Sequence, residues 1–195
     1  MIEIIYTFHS ATYNRHMNDL NTWLNALSNE PLPGAVSAAA VSAAMGAALI
    51  AKAARITLHK RQLDGASRDE VQDLWDLANR QQATLLELAA DDEDAYRAVL
   101  RASSLPRSDP GRTSAWLHAT ETPIRVAEAC HTLLESASPL LDTCWPAVCP
   151  DPEIGIWLLE TGLRAGLKAA QGNMEYCGDG PEARSLQGRI EALYP

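Results

Sequence analysis

The chain has 195 residues, 47% of them hydrophobic, and a formal net charge of −9 at pH 7. That length suits a single helical domain, residues 1–195, able to bury roughly two-thirds of the surface its unfolded chain exposes. The acidic balance excludes a general nucleic-acid binder, which needs a basic face to displace counterions, and points instead to a small-molecule ligand or a protein partner.

The opening Met1-Ile2-Glu3-Ile4-Ile5-Tyr6 carries an acid and lacks the basic flank, apolar core and cleavage site of a secretory signal. The expectation is a cytoplasmic protein, and these first residues are the one place where a strand competes with helix. Leu20, Trp23, Leu24 and Leu27 then repeat at helical spacing and predict an amphipathic helix over roughly Arg15 to Ser28.

Pro31 to Ala51, "PLPGAVSAAAVSAAMGAALIA", contains no charged side chain. A membrane span needs about 20 apolar residues, which length alone satisfies. Alanine, serine and glycine gain little in lipid, however, and the stretch lacks aromatic belts and Leu/Ile/Phe density. It reads as a core helix. Ala39, Ala43, Ala47 and Ala51 recur every fourth residue beside Ser42, Gly46 and Ile50, so neighbouring backbones can approach closely. Pro-Leu-Pro-Gly fixes the entry, Ser37 offers a first-turn hydroxyl, and the free backbone N–H groups there suit an anion or polar ligand. The helix ends near His59-Lys60-Arg61, where cations complement its dipole.

A third helix starts at the capping-box pattern Ser67-Arg68-Asp69-Glu70, carries Val71, Leu74, Leu77, Ala78, Leu85 and Leu88 on one side, and extends to about Ser103. "SLPRSDPGR", Ser104 to Arg112, breaks the chain. A fourth helical region runs from Thr113, with Pro123 either kinking it or opening a new segment. Asp151 then stands as an N-cap with Pro152 at the first helical position, starting a fifth helix that reaches about Tyr176. "GDGPEAR" precedes a short tail helix. The fold class is all-α, an antiparallel bundle of about five long helices with a short C-terminal helix.

Composition and spacing alone show no phosphate loop, nucleophile elbow or metal helix. The acidic run Asp91-Asp92-Glu93-Asp94 reads as a solvated helix face rather than a metal site. Trp145 and Trp157 read as core or interface aromatics. Cys130, Cys144, Cys149 and Cys177 match no zinc spacing and read as reduced thiols, so no metal is expected.

Four patches, taken together, resemble the C-terminal family of the formiminotransferase-cyclodeaminases, which includes stand-alone methenyltetrahydrofolate cyclohydrolases and formimidoyltetrahydrofolate cyclodeaminases. The family's Pro-x-Pro-Gly-Gly-Gly-Ser and Ala-rich helix correspond to "PLPGAVSAAAVSAAMGAALIAKAARITL". Its D-x-x-A-Y followed by Leu-Pro corresponds to Asp92, Ala95, Tyr96, Leu105 and Pro106. Its A-x-E-x-P-x-x-x-A-E corresponds to Ala119, Glu121, Pro123, Ala127 and Glu128, and its last long helix begins at Asp151 and ends near Asn173.

The resemblance implies a homodimeric helical bundle without a bound cofactor, acting on a one-carbon unit between N5 and N10 of tetrahydrofolate. Water addition opens methenyl to formyl; alternatively, a formimino group closes onto N10 with loss of ammonia. It assigns Asp151 the catalytic carboxylate, kept ionised by the helix N-terminus, and assigns ligand contacts to Gly34 and Ser37. Arg164, Lys168, Arg55 and Lys52 are the cations available for a glutamate tail. The family's consecutive glycines are Gly34-Ala35-Val36 here, and its closing N-V-R-I-N is Asn173-Met174-Glu175-Tyr176-Cys177. Those departures leave room for the same fold on another amidine or pterin, or for a non-catalytic binding protein.

Overall fold

A computed structural model describes residues 19–106 and 109–194. The chain divides after Gly34 into two units. In the first, residues 19–29 form helix α1, where the leucine spacing predicts one, and the Leu32–Pro33 peptide bond is cis. The strand alternative at residues 1–6 lies outside the described residues.

The second unit contains α2 (Ala35–Lys60), α3 (Gly65–Ala102), α4 (Pro110–Thr143), α5 (Pro150–Asn173) and the short α6 (Pro181–Leu193). Single 3-10 turns occupy Pro146–Val148 and Met174–Tyr176. Helices α2 to α5 run up, down, up and down, as an all-α antiparallel bundle should. α2 packs between α3 and α5, α4 closes the other side against the same two helices, and α6 lies on α4.

Three helix starts differ from the sequence reading, two of them because a nearby aspartate is the better acceptor. Asp64 caps α3, taking Ser67 N–H at 2.9 Å and the Ser67 hydroxyl at 3.2 Å, so Ser67 is a donor inside the first turn. Asp109 caps α4 through Gly111 N–H at 2.8 Å, with Pro110 in the first turn. The segment read as a break therefore contains the start of the next helix. In α5 Pro150 opens the helix after Cys149, which places Asp151 inside the first turn rather than at the N-cap.

α4 continues through both Pro123 and Pro139. A proline within a helix deprives the carbonyl four residues earlier of its donor. For Pro123 that carbonyl belongs to Ala119, and Asn173 Nδ2 donates to it at 2.9 Å. The asparagine at the end of α5 thus repairs a defect in α4.

α2 is long and apolar enough to cross a membrane, yet Ala40, Ala43, Ala47, Ile50, Ala53 and Ala54 are fully buried against its neighbours. It brings little side-chain volume, and Leu85, Leu88, Leu133, Leu140 and Leu159 of the other helices fill the core around it. The tightest point is the crossing of Gly46 and Gly155. A Cβ on Gly46 would lie 2.6 Å from the Gly155 carbonyl oxygen, and one on Gly155 would lie 2.7 Å from that of Gly46. Both clashes are with backbone, which no side-chain rotation relieves.

Gly46→Ala should therefore destabilise the protein by about 2 kcal/mol or more through forced helix separation. Gly172→Ala, whose Cβ would meet no atom within 4 Å, should be neutral or stabilising by up to about 1 kcal/mol. Urea unfolding of the two variants checks the contrast, and equal midpoints would refute the role given to the crossing.

Candidate active site

The first turn of α2 holds Ser37, fully buried. Its backbone N–H donates to Asp92 Oδ2 at 3.1 Å and its hydroxyl donates to the same oxygen at 2.8 Å. A carboxylate on α3 thereby satisfies one of the amides that a helix start leaves without a partner. Asp92 is half-buried. Burial raises its carboxyl pKa above the ordinary 3.8, the two Ser37 bonds oppose that rise, and neighbouring Glu93 adds to it. Its second oxygen, Oδ1, has no hydrogen-bond partner among the described residues.

Asp92 belongs to the run read as a solvated face, and for the rest of that run the reading holds. Asp91 meets Arg125 at 3.4 Å, while Glu93 and Asp94 share Arg97 at 2.9 and 2.8 Å. The signal that separates Asp92 from them is helical phase. Leu85, Leu88, Ala89, Ala95 and Val99 form the buried stripe of α3, and Asp92 falls on that stripe at the same spacing of three and four residues.

The residues assigned from the sequence divide between the two ends of the bundle. Ser37 is at the end where α2 begins. Asp151 is at the other, its Oδ2 shielded from solvent and 2.8 Å from Lys52 Nζ, a contact that makes an ion pair without good hydrogen-bond geometry. Ser37 and Lys52 are separated along α2 by about four turns, roughly 22 Å. The structure thus brings Ser37 together with Asp92 and not with Asp151.

Arg164 and Lys168 are exposed on α5, flanking Gly166, which packs on Pro123 and Ala127 of α4. They therefore lie toward the Ser37 end, whereas Arg55 is exposed near Lys52 at the far end of α2. Gly34 is the last residue before α2, and its φ is not positive; among the described residues only Gly178 has one, at 69°. Ala35 and Val36 sit in ordinary helical backbone, so their side chains are not strained there.

At the close of α5, Cys177 is buried with its sulfur 3.2 Å from the Thr120 hydroxyl. Burial pushes its thiol pKa upward. All four cysteines are free.

Against known families, the model described as formiminotransferase-cyclodeaminase matches residues 20–192. The chain belongs to that family. It is 27% identical over 155 residues to a methenyltetrahydrofolate cyclohydrolase of Methylorubrum extorquens, an alignment that takes in 75% of this chain and 74% of the relative. Its fold is similar to that of formiminotetrahydrofolate cyclodeaminase from Thermotoga maritima, with a TM-score of 0.77, 19% identity, and coverage of 85% of this chain and 82% of the other. Within this family fold, Asp92 falls in the D-x-x-A-Y patch and Asn173 and Pro123 fall in two others, so one motif residue is aimed at the start of α2 while two hold helices together.

A raised carboxyl pKa means that folding favours the protonated form. The contribution of Asp92 to stability is full below the ordinary 3.8 and is lost as pH rises through the raised value. Asp92→Asn keeps an acceptor for Ser37 and removes this loss. Between pH 4 and pH 7 the melting temperature of the variant, relative to the parent, should shift in the variant's favour. A difference that moves the other way would contradict the burial argument.

Proposed function

We propose that the protein is a methenyltetrahydrofolate cyclohydrolase with Asp92 as its acid–base carboxylate. The reading is carried by one juxtaposition: a half-buried carboxylate with a raised pKa, fixed through one oxygen by Ser37 and free at the other. The family membership and the cyclohydrolase relative supply the substrate class.

The chemistry follows from the charge of the substrate. The methenyl carbon sits between two nitrogens that share a positive charge, and a nearby carboxylate stabilises that cation. As water attacks the carbon, Asp92 accepts one of its protons, leaving a neutral tetrahedral carbinol. The carboxylic acid then protonates N5 as the carbon–N5 bond breaks, and the carbinol loses its hydroxyl proton to solvent. The products are 10-formyltetrahydrofolate and one proton. A carboxylate with a raised pKa is a stronger base than a solvated one, which suits the first step. Ser37 acts as a positioning residue by keeping Oδ1 turned outward. Arg164 and Lys168 take the glutamate carboxylates. Asp151 acts with Lys52 as a structural pair between α5 and α2.

Asp92→Asn should reduce the enzyme-dependent absorbance decay of methenyltetrahydrofolate by about a hundredfold or more, while Asp151→Asn stays within a few-fold of the parent. Full activity in Asp92→Asn would overturn the assignment, and loss in Asp151→Asn alone would move the chemistry to the other end of the bundle. If the parent does not accelerate the decay, ammonia release from formiminotetrahydrofolate identifies a cyclodeaminase; absence of both activities excludes this substrate class.

The same reading includes a homodimer formed through α2 and α5. Met45, Ile154 and Trp157 are 47%, 42% and 62% exposed, beside the Gly46–Gly155 crossing. Charged residues avoid the outward side of α2 from Ala35 to Ala51, a pattern that suits a second copy of the same surface. Light scattering should give twice the chain mass, and Trp157→Lys should convert it to the monomer. A monomeric parent would refute this.

A further inference from the structure

Beyond the catalytic carboxylate, the end of the bundle nearest Asp92 carries a second group of chemically distinct side chains. Arg112, Thr113, Trp116, Glu175, Tyr176 and Gly178 line a hollow of about 350 Å³ between the start of α4 and the turn after α5. Trp116 and Tyr176 stack with centroids 4.3 Å apart and planes inclined at 21°, and Tyr176 is 51% exposed. Arg112 is held in place by donating to the carbonyls of Ser103 and Leu105 at 3.3 and 3.2 Å. Glu175 has no hydrogen-bond or ionic partner among the described residues, and it forms no ion pair with Arg112 although both line the same hollow.

This combination selects among ligands. An aromatic stack with open area favours a flat ring. A carboxylate beside it accepts from two parallel N–H groups, and a guanidinium donates to a carbonyl oxygen. A 2-amino-4-oxopyrimidine presents that pattern along one edge: the 2-amino and N3 hydrogens side by side, and the 4-oxo oxygen next to them. An anionic tail would be opposed by Glu175, so the hollow fits the ring end of a folate better than its glutamate end. Position agrees with this orientation. Trp116 packs on the cluster of Ala95, Val99 and Ala119, and Ala95 is one turn beyond Asp92 on α3, roughly 5 Å along the axis. Arg164 and Lys168 lie farther back along α5, on the tail side.

We infer that this hollow binds the 2-amino-4-oxopyrimidine edge of a pterin, with Glu175 accepting from N3 and the 2-amino group, Arg112 donating to the 4-oxo oxygen, and Tyr176 covering the ring. The inference rests on the folate reading for the identity of the ring, while guanine shares the same edge. The glutamate that stands where the family commonly has an arginine becomes, in this arrangement, a recognition residue.

Calorimetric titration of the full chain with pterin, lumazine and guanosine tests it. Lumazine is the pteridine with an oxo group in place of the 2-amino group. Pterin should bind roughly tenfold or more tightly than lumazine, because the carboxylate then lacks one donor. Glu175→Gln should weaken pterin about tenfold, leave lumazine unweakened or tighter because the amide can donate to its 2-oxo oxygen, and leave the thermal melt nearly unchanged. Equal affinity for pterin and lumazine, no pterin binding, or an unaffected Glu175→Gln protein would overturn the inference. Guanosine binding as tightly as pterin would reassign the site to guanine. Failure here is distinct from failure of the catalytic reading: Asp92→Asn should keep its pterin affinity whether or not the parent is a cyclohydrolase, and an active enzyme whose KM ignores Glu175→Gln refutes only the hollow.

Discussion

The contact on which the rest of the structure depends is the crossing of two backbones at Gly46 and Gly155. Helices with ordinary side chains stay 8 to 10 Å apart, and here there is no room for even one methyl group. Ala39, Ala43 and Ala47 extend the same thin surface along α2, and Gly162 meets Ala43 farther along α5. Close approach of this kind trades side-chain volume for backbone dispersion contacts. The leucines of α3 and α4 then supply the bulk that α2 lacks. Once the middle of α2 touches the start of α5, the level of the side chains along these two helices is set, and with it the separation of Asp151 from Ser37.

Several polar groups in this bundle are satisfied by residues from distant elements. Asp92 serves the start of α2, and Asn173 serves the carbonyl that Pro123 leaves open in α4. Arg61, just beyond α2, donates to the Thr143 and Cys144 carbonyls at the end of α4, at 2.6 and 3.3 Å. Such bonds contribute modestly to stability when made and cost more when one partner is removed. They also link the candidate site to the scaffold. Asp92 completes the start of α2 through Oδ2 and leaves Oδ1 without a partner among the described residues, so the position of that open oxygen is fixed by the same bonds that hold the helix end.

The departures from the family pattern take on different meanings once placed. Ala35 and Val36 occupy helical backbone with negative φ and close no turn that requires glycine. Cys177 is a buried sulfur packed on Thr120. Glu175 is the departure that changes charge at a surface a ligand can reach. Variation at Val36 and Cys177 concerns packing, Ala35 is exposed, and variation at Glu175 alters the charge of the hollow that it lines.

Helix content, the core role of the alanine-rich stretch and the family itself were legible in the sequence, because periodicity, small-residue spacing and turn residues act within a few positions of one another. The short acidic caps were partly legible: Asp64 and Asp109 lie within three residues of the amides they bind, and only competition with Ser67 and the Pro-Gly pair obscured them. The pairing of Ser37 with Asp92 spans 55 residues, and no local pattern encodes it. Which carboxylate faces the start of α2 depends on the register between antiparallel helices, and the Gly46–Gly155 contact sets the part of that register that puts Asp151 at the far end. The sequence by itself determined that the chain would form these helices and which faces they would bury. The tertiary structure alone decided which acid stands at the candidate site, because burial and hydrogen bonding at that point arise from α2 and α3 meeting and from neither helix separately.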